Sequence, residues 1–185
     1  MGSLENFKMN MSLETALLIV PPKEVQVFSF PLREAYDNEA FDKNVPAHMT
    51  LLYPFVPPKI VDETIEKLKV ICKEYPPFEV TLDRYGSFEG AIFLEPSDPE
   101  PVMNLHRHLA ASFPEYPVYD GEHGIDLHPH LTLARFENPN QADEVVLPPT
   151  PKFTFTVDKI HLYLGSTTED IAFIPRAVIP LGTST

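Results

Sequence analysis

The sequence holds one cysteine, Cys72, so no intramolecular disulfide can form and no zinc site can be built from paired cysteines. A reducing, cytoplasmic setting is the expectation. Long apolar runs are also missing. Stretches such as Leu17 to Val20 and Leu51 to Tyr53 fall far short of the roughly 20 residues a membrane helix needs, so no membrane partner is expected. Met1 to Asn10 is polar and lacks the apolar segment of a secretory signal. Basic residues are scarce: 14 Lys and Arg stand against 27 Asp and Glu, a formal charge of −13. A long polyanion needs clustered cations to neutralise its phosphates, so no long nucleic acid is expected as a partner. A nucleic acid would be gripped at its end only, and a small nucleotide suits the charge better still.

What is present fits one globular unit. With 185 residues, 43% of them hydrophobic, the chain can bury one core, shared by two small lobes if it has them. The 21 prolines are spread as punctuation, at Pro21-Pro22, Pro57-Pro58, Pro76-Pro77 and Pro148-Pro149, and mark element boundaries. Val61, Ile65, Leu68, Cys72 and Tyr75 recur at helical spacing and predict a helix over Lys59 to Tyr75, with Cys72 a small core residue. Val102, Leu105, Leu109 and Phe113 predict a second. Lys23 to Tyr36 reads as a helix that Pro31 would break or kink. Strands are predicted at Thr15 to Val20, His48 to Tyr53, Phe78 to Tyr85, Ala91 to Leu94, His130 to Phe136, Phe153 to Leu164 and Ile171 to Ile174.

Two stretches match position by position: Phe78-Glu-Val-Thr-Leu-Asp-Arg84 and Phe153-Thr-Phe-Thr-Val-Asp-Lys159. Upstream of each lies a His-x-Thr-Leu strand, His48-Met-Thr-Leu51 and His130-Leu-Thr-Leu133, and upstream of those Ala16 to Val20 and Ala91 to Leu94. The His motifs stand 130 − 48 = 82 residues apart and the Phe motifs 153 − 78 = 75 apart, so the loops differ in length. Two units are too few for a solenoid. The expectation is an α+β fold, a bilobal pseudo-twofold duplication with two antiparallel sheets flanked by helices around a central cleft. Residues 1–14 are expected to form a flexible N-terminus and 15–180 the single bilobal domain, a monomer.

On a strand, residues two apart share a face, so His48 projects with Thr50 and His130 with Thr132. Met49, Leu51 and Tyr53, and Leu131 and Leu133, fall on the opposite face. A pseudo-twofold axis would set the two His/Thr pairs across a cleft. Two imidazoles with a reference pKa near 6.5 suit in-line displacement at phosphorus, one as base and one as acid. The threonine hydroxyls can donate to nonbridging phosphate oxygens. Such a set asks for no cofactor and no metal. A lone His-x-Thr arises by chance in many proteins, whereas two copies inside matching repeats carry weight.

Pro46-Ala-His48-Met-Thr50-Leu-Leu-Tyr-Pro-Phe55 and His128-Pro-His130-Leu-Thr132-Leu-Ala-Arg135 resemble the two motifs of the two-histidine phosphoesterase superfamily, in its 2′-5′ RNA ligase and cyclic phosphodiesterase branch. The resemblance runs from about Thr15 to Ile179. It implies a bilobal α+β fold with a central cleft, and His48 with Thr50 and His130 with Thr132 as the catalytic pairs. It also implies activity on 2′,3′-cyclic phosphates or 2′-5′ linkages of a nucleotide or short RNA end, by hydrolysis or by reversible end joining.

Other readings compete. Five of the seven histidines fall between His106 and His130, which raises a metal site around His128 and His130; Pro129 and the divergence of His106 from His108 on a helix count against it. His106 is expected to flank its helix's packed stripe, and His108 and His123 to face solvent. Arg135, an odd step from His130, is expected to face away from the cleft. Phe88, Phe93 and Tyr163 are the aromatics to test for base stacking, with core packing the more frequent role of any one of them. The stretches Asp37 to Ala47 and Pro114 to Asp126 read as long loops able to cover the cleft. A noncatalytic nucleotide-binding module is the alternative outside enzymology, and the intact histidines count against it.

Overall fold

Residues 12–88, 90–117 and 127–182 are described by the computed structural model. Residues 1–11 of the expected flexible 1–14, and residues 118–126 of the expected loop Pro114 to Asp126, His123 among them, lie outside these. Glu14, expected in the flexible segment, already belongs to the first strand. In chain order the elements are β1 (Glu14–Ile19), α1 (Lys23–Tyr36), α2 (Asn38–Asp42), β2 (Met49–Leu52), α3 (Val61–Lys73), β3 (Phe78–Phe88), β4 (Ala91–Pro96), α4 (Glu100–Ser112), β5 (Leu131–Arg135), β6 (Phe153–Val157), β7 (Lys159–Gly165) and β8 (Ile174–Pro180). No helix among the described residues is long and apolar enough to cross a membrane.

All eight strands join one antiparallel sheet in the order β6-β3-β4-β5-β2-β1-β7-β8. The two sheets expected from the repeat are halves of it, joined through a single pairing, Met49 opposite Leu131. β6 starts the order and β7 stands near its end, yet only Asp158 separates them in the chain. The sheet therefore curls until its ends approach, and the α+β bilobal architecture is present as a curled sheet with helices outside.

The sequence repeat becomes a local twofold. Phe78–Leu82 pairs antiparallel with its own repeat, Phe153–Val157, with Val80 opposite Phe155 at the centre. Two like segments that pair about their midpoints are related by twofold rotation. Beyond them, Phe88 lies opposite Ala91 as Tyr163 lies opposite Ala16. At the other crossing the paired residues, Met49 and Leu131, are those that come directly after the two histidines. The helices cross over in the same manner, α1 packing on β5 and α4 on β2, so each covers the other unit's histidine strand.

Leu17, Met49, Leu51, Leu131 and Leu133 are fully buried under these helices. Each such side chain contributes about 1.5–3 kcal/mol to folding.

Four local expectations change, the first being that the strand predicted over Phe153 to Leu164 is two, β6 and β7, broken at Asp158. Helix α1 runs unbroken through Pro31, because the carbonyl that loses its partner belongs to Val27, which is 63% exposed and open to water. The predicted loop from Asp37 contains the short helix α2. The last strand is Ile174–Pro180 and not Ile171 to Ile174. Its prolines hide the signal in the sequence, but β8 pairs only with β7, and an edge strand tolerates prolines.

Candidate active site

His48 and His130 stand one residue ahead of β2 and β5, on the two strands that meet at the centre of the sheet. Their rings are fixed in the same way. Nδ1 of His48 lies 2.8 Å from the Pro46 carbonyl, and Nδ1 of His130 lies 2.7 Å from the His128 carbonyl. A carbonyl only accepts, so Nδ1 carries the proton in each ring, and Nε2 of the neutral imidazole is left with its lone pair. The backbone before His48 is itself clamped. Gln26 of α1 donates to the Ala47 carbonyl at 2.8 Å and accepts from the Ala47 N–H at 2.9 Å.

Thr50 and Thr132 lie beyond the histidines on the face away from the helices. Thr50 sits opposite Leu18 of β1, and Thr132 opposite Phe93 of β4. The structure thus brings His48, Thr50, His130 and Thr132 to one side of two neighbouring strands.

After the threonines the alternation slips, in both lobes. Leu18 pairs with Thr50 but Leu17 with Leu52, which leaves Leu51 as an extra residue. Phe93 pairs with Thr132 but Ile92 with Ala134, which leaves Leu133 extra. These are β-bulges, which reverse the facing of the residues beyond them. The buried His106 supports the first by donating from Nδ1 to the Leu51 carbonyl at 2.7 Å, a role its helical spacing did not announce. The consequence is a correction: Arg135 pairs with Ala91 on the cleft face and reaches Oγ1 of Thr132 with Nη2 at 3.4 Å. Tyr53, its counterpart five residues after the other histidine, also turns from the core and donates to Glu14 at 2.7 Å.

Burial pushes the His48 imidazole down to about 4, with the charges of Arg33, His130 and Arg135 adding to the shift and the Pro46 hydrogen bond opposing it. His130 is also lowered, first by burial and then by His128 and Arg135, while the His128 hydrogen bond and Glu95 oppose. Both rings are therefore neutral in the free protein near pH 7. The charge of Arg135 contributes to the lowering of both histidines.

The aromatics divide. Phe93 is 2% exposed and its ring lies across Gly86, where any Cβ would overlap it. It packs 5.0 Å from the His130 ring as a buried core side chain with no open face for a base. Phe88 is 43% exposed and meets His130 edge-on at 5.3 Å. Tyr163, its twofold counterpart, is half-buried in the other lobe. His128 stacks 6.0 Å from His130 and turns Nε2 to Glu95 at 3.0 Å. His108 is exposed, as expected. Among the described residues no three His, Cys, Asp or Glu side chains converge as a metal ion would require.

The profile of the 2′-5′ RNA ligase superfamily matches residues 21–169. The chain belongs to that superfamily. It is 26% identical over 158 residues to the Geobacillus kaustophilus protein named "Putative phosphoesterase GK0864", covering 81% of this chain and 87% of that one. Its fold is similar to that of E. coli LigT complexed with 3′-AMP, at a TM-score of 0.67 and 21% identity over 91% of this chain and 97% of LigT. The protein TT0787 of Thermus thermophilus superposes at 0.62 with 20% identity, over 93% of this chain and all of the other. Further LigT structures hold NADP+, ATP or phosphate.

Proposed function

We propose that this protein opens a phosphodiester at the 2′ or 3′ oxygen of a ribose, on a 2′,3′-cyclic phosphate or a 2′-5′ linkage of a nucleotide or short RNA end. The observation that carries the reading is the matched pair of imidazoles. Each has its Nδ1 proton tied to a backbone carbonyl two residues back, so each offers Nε2 to one shared phosphate. The nucleotides and phosphate held by LigT agree with such a ligand.

For a cyclic phosphate the step balances with these residues. One neutral Nε2 takes a proton from water as its oxygen forms a bond to phosphorus. The bond from phosphorus to the ribose 2′ or 3′ oxygen breaks, and the other imidazole, protonated, delivers its Nε2 proton to that oxygen. A phosphomonoester and a free hydroxyl result, and the two histidines have exchanged protonation states. Thr50, Thr132 and Arg135 donate to the nonbridging oxygens, where charge accumulates. On a 2′-5′ linkage the neighbouring 3′ hydroxyl takes the place of water and the bond from phosphorus to the 5′ oxygen breaks. That oxygen takes the acid's proton, to leave a 2′,3′-cyclic phosphate and a free 5′ hydroxyl; the reverse of that step is end joining. The charge of −13 favours hydrolysis, since joining must hold two polyanionic ends together.

A panel of 2′,3′-cyclic nucleotides, 2′-5′ dinucleotides and cyclic-phosphate RNA ends, with products identified by chromatography, tests the reading. Turnover of at least one class is expected and should survive strong chelation, because the histidines supply both acid and base. No turnover of any class, or loss with chelator that zinc or manganese restores, would sink it.

The pH dependence comes from the lowered histidines. The active form needs one ring neutral and one protonated, and kcat/KM reports the free enzyme. With His48 near 4 and His130 below its usual 6.5, kcat/KM should peak below pH 6.5 and fall about tenfold per pH unit above it. A bound phosphate anion favours the protonated ring, so the kcat optimum should lie at higher pH than that of kcat/KM. Coincident optima above pH 7 would contradict this.

A further inference from the structure

Arg135 reaches the cleft from the end of β5, 60% exposed, and a long side chain so placed loses rotamer freedom whenever a ligand fixes it. Two contacts already hold it. At its root, Nε stands 3.6 Å from Oδ1 of Asp37. At its tip, Nη2 reaches Thr132.

Asp37 is held in turn. Its Oδ2 accepts from Nε of Arg33 at 3.2 Å, and the two side chains are sealed from solvent, 3% and 6% exposed. Its Oδ1 is buried with no hydrogen bond among the described residues. A buried carboxylate oxygen in that state is costly unless a cation faces it, and the second cation it faces is Arg135. Arg33, Asp37, Arg135 and Thr132 thus run in one line from the inside of α1 to the cleft. In the other lobe the matching position carries Tyr53, tied to Glu14. Both lobes fasten this residue to a carboxylate, but only one places a cation there.

We propose that Asp37, braced by Arg33, is a positioning residue that holds the Arg135 guanidinium beside Thr132, ready to receive a nonbridging phosphate oxygen. What Arg135 binds rests on the phosphodiester reading above; how it is held does not. The Thr132 contact uses one Nη2–H and the Asp37 contact is an ion pair without a hydrogen bond, so four of the five N–H groups of the fork remain for the ligand. Holding the fork in place beforehand removes an ordering cost that binding would otherwise bear.

The test is a double-mutant cycle on Asp37→Asn and Arg135→Ala, read by calorimetric binding of inorganic phosphate and by kcat/KM on whichever substrate the panel yields. Arg135→Ala should weaken phosphate roughly 10- to 100-fold, the loss of one charge-assisted hydrogen bond. Asp37→Asn should weaken it about tenfold when Arg135 is present. In the Arg135→Ala background it should change it by less than about twofold, because it acts through Arg135. An equal loss in both backgrounds would make Asp37 purely structural and overturn the proposal, as would wild-type protein that binds no phosphate. Wild-type protein that binds phosphate but turns nothing over would refute the function and leave the cycle readable. Should Asp37→Asn fail to fold, nitrogen-15 spectra of the wild type decide. A high order parameter at Arg135 Nε is expected without phosphate, and one typical of a freely rotating surface arginine would overturn the proposal.

Discussion

His48→Ala and His130→Ala are each expected to lower kcat by roughly 10²- to 10⁴-fold, the contribution of one positioned acid or base. That range corresponds to about 2.7–5.5 kcal/mol of barrier. The double replacement should cost far less than the product of the two, because a base without its acid has already lost the concerted proton transfer. Asparagine separates chemistry from packing. Its side-chain N–H can stand where Nδ1 stands and keep the bond to the Pro46 or His128 carbonyl, but it has no group that titrates near neutrality. His48→Asn and His130→Asn should therefore be as inactive as the alanine variants while melting closer to wild type. If His48→Ala kept full turnover while His130→Ala abolished it, the paired mechanism would be wrong, and a single base in the His128 to His130 segment would replace it.

The histidine strands were legible because three signals agreed: a period of two, a repeated motif, and repeated flanking strands. Agreement across levels is what a folded sequence should show. The Phe78 and Phe153 motifs carried more than a family likeness, since the two segments pair with each other about Val80 and Phe155 and so lie on the twofold. What sequence could not supply was the slip at Leu51 and Leu133. A bulge is decided by the partner strand and by support such as that of His106 beneath Leu51, and alternation counted along one strand has no access to either. That single residue turned Arg135 from an outward side chain into a neighbour of Thr132. Asp37 was invisible for a related reason. Its value comes from Arg33 one helical turn earlier and from Arg135 at the end of a distant strand.

The twofold also sharpens what differs between the lobes. His128 and Phe88 pack against the His130 ring and Arg135 reaches Thr132 beside it, while the repeat puts Pro46, Tyr163 and Tyr53 at the corresponding positions of the other unit. The positions that carry His128 and Arg135 in one unit carry Pro46 and Tyr53 in the other, so the two units set unlike side chains around like histidines. His48 lies deep enough that burial takes it far below its usual range. An asymmetric site built on a symmetric frame gives the two chemically identical bases different surroundings, which is what dividing acid from base work requires.

The threonines should follow that asymmetry. If the threonines donate to the phosphate as proposed, Thr50→Ala and Thr132→Ala each remove one hydroxyl donor, and the loss in kcat should be of the order of 10²- to 10³-fold. Thr132→Ala should be the more severe, because Thr132 also holds the tip of Arg135, and its removal frees the guanidinium as well as deleting a donor. Thr132→Ser restores the hydroxyl and should recover most of the activity, since Oγ and not the methyl makes both contacts. Combined with Arg135→Ala, Thr132→Ala should fall short of additivity, whereas Thr50→Ala, opposite Leu18 in the other lobe, should add to Arg135→Ala almost fully. Turnover of a single substrate at one pH by each of these variants, beside Arg135→Ala alone, decides the matter. A serine variant no better than alanine would mean that Thr132 acts through packing and donates nothing to the phosphate.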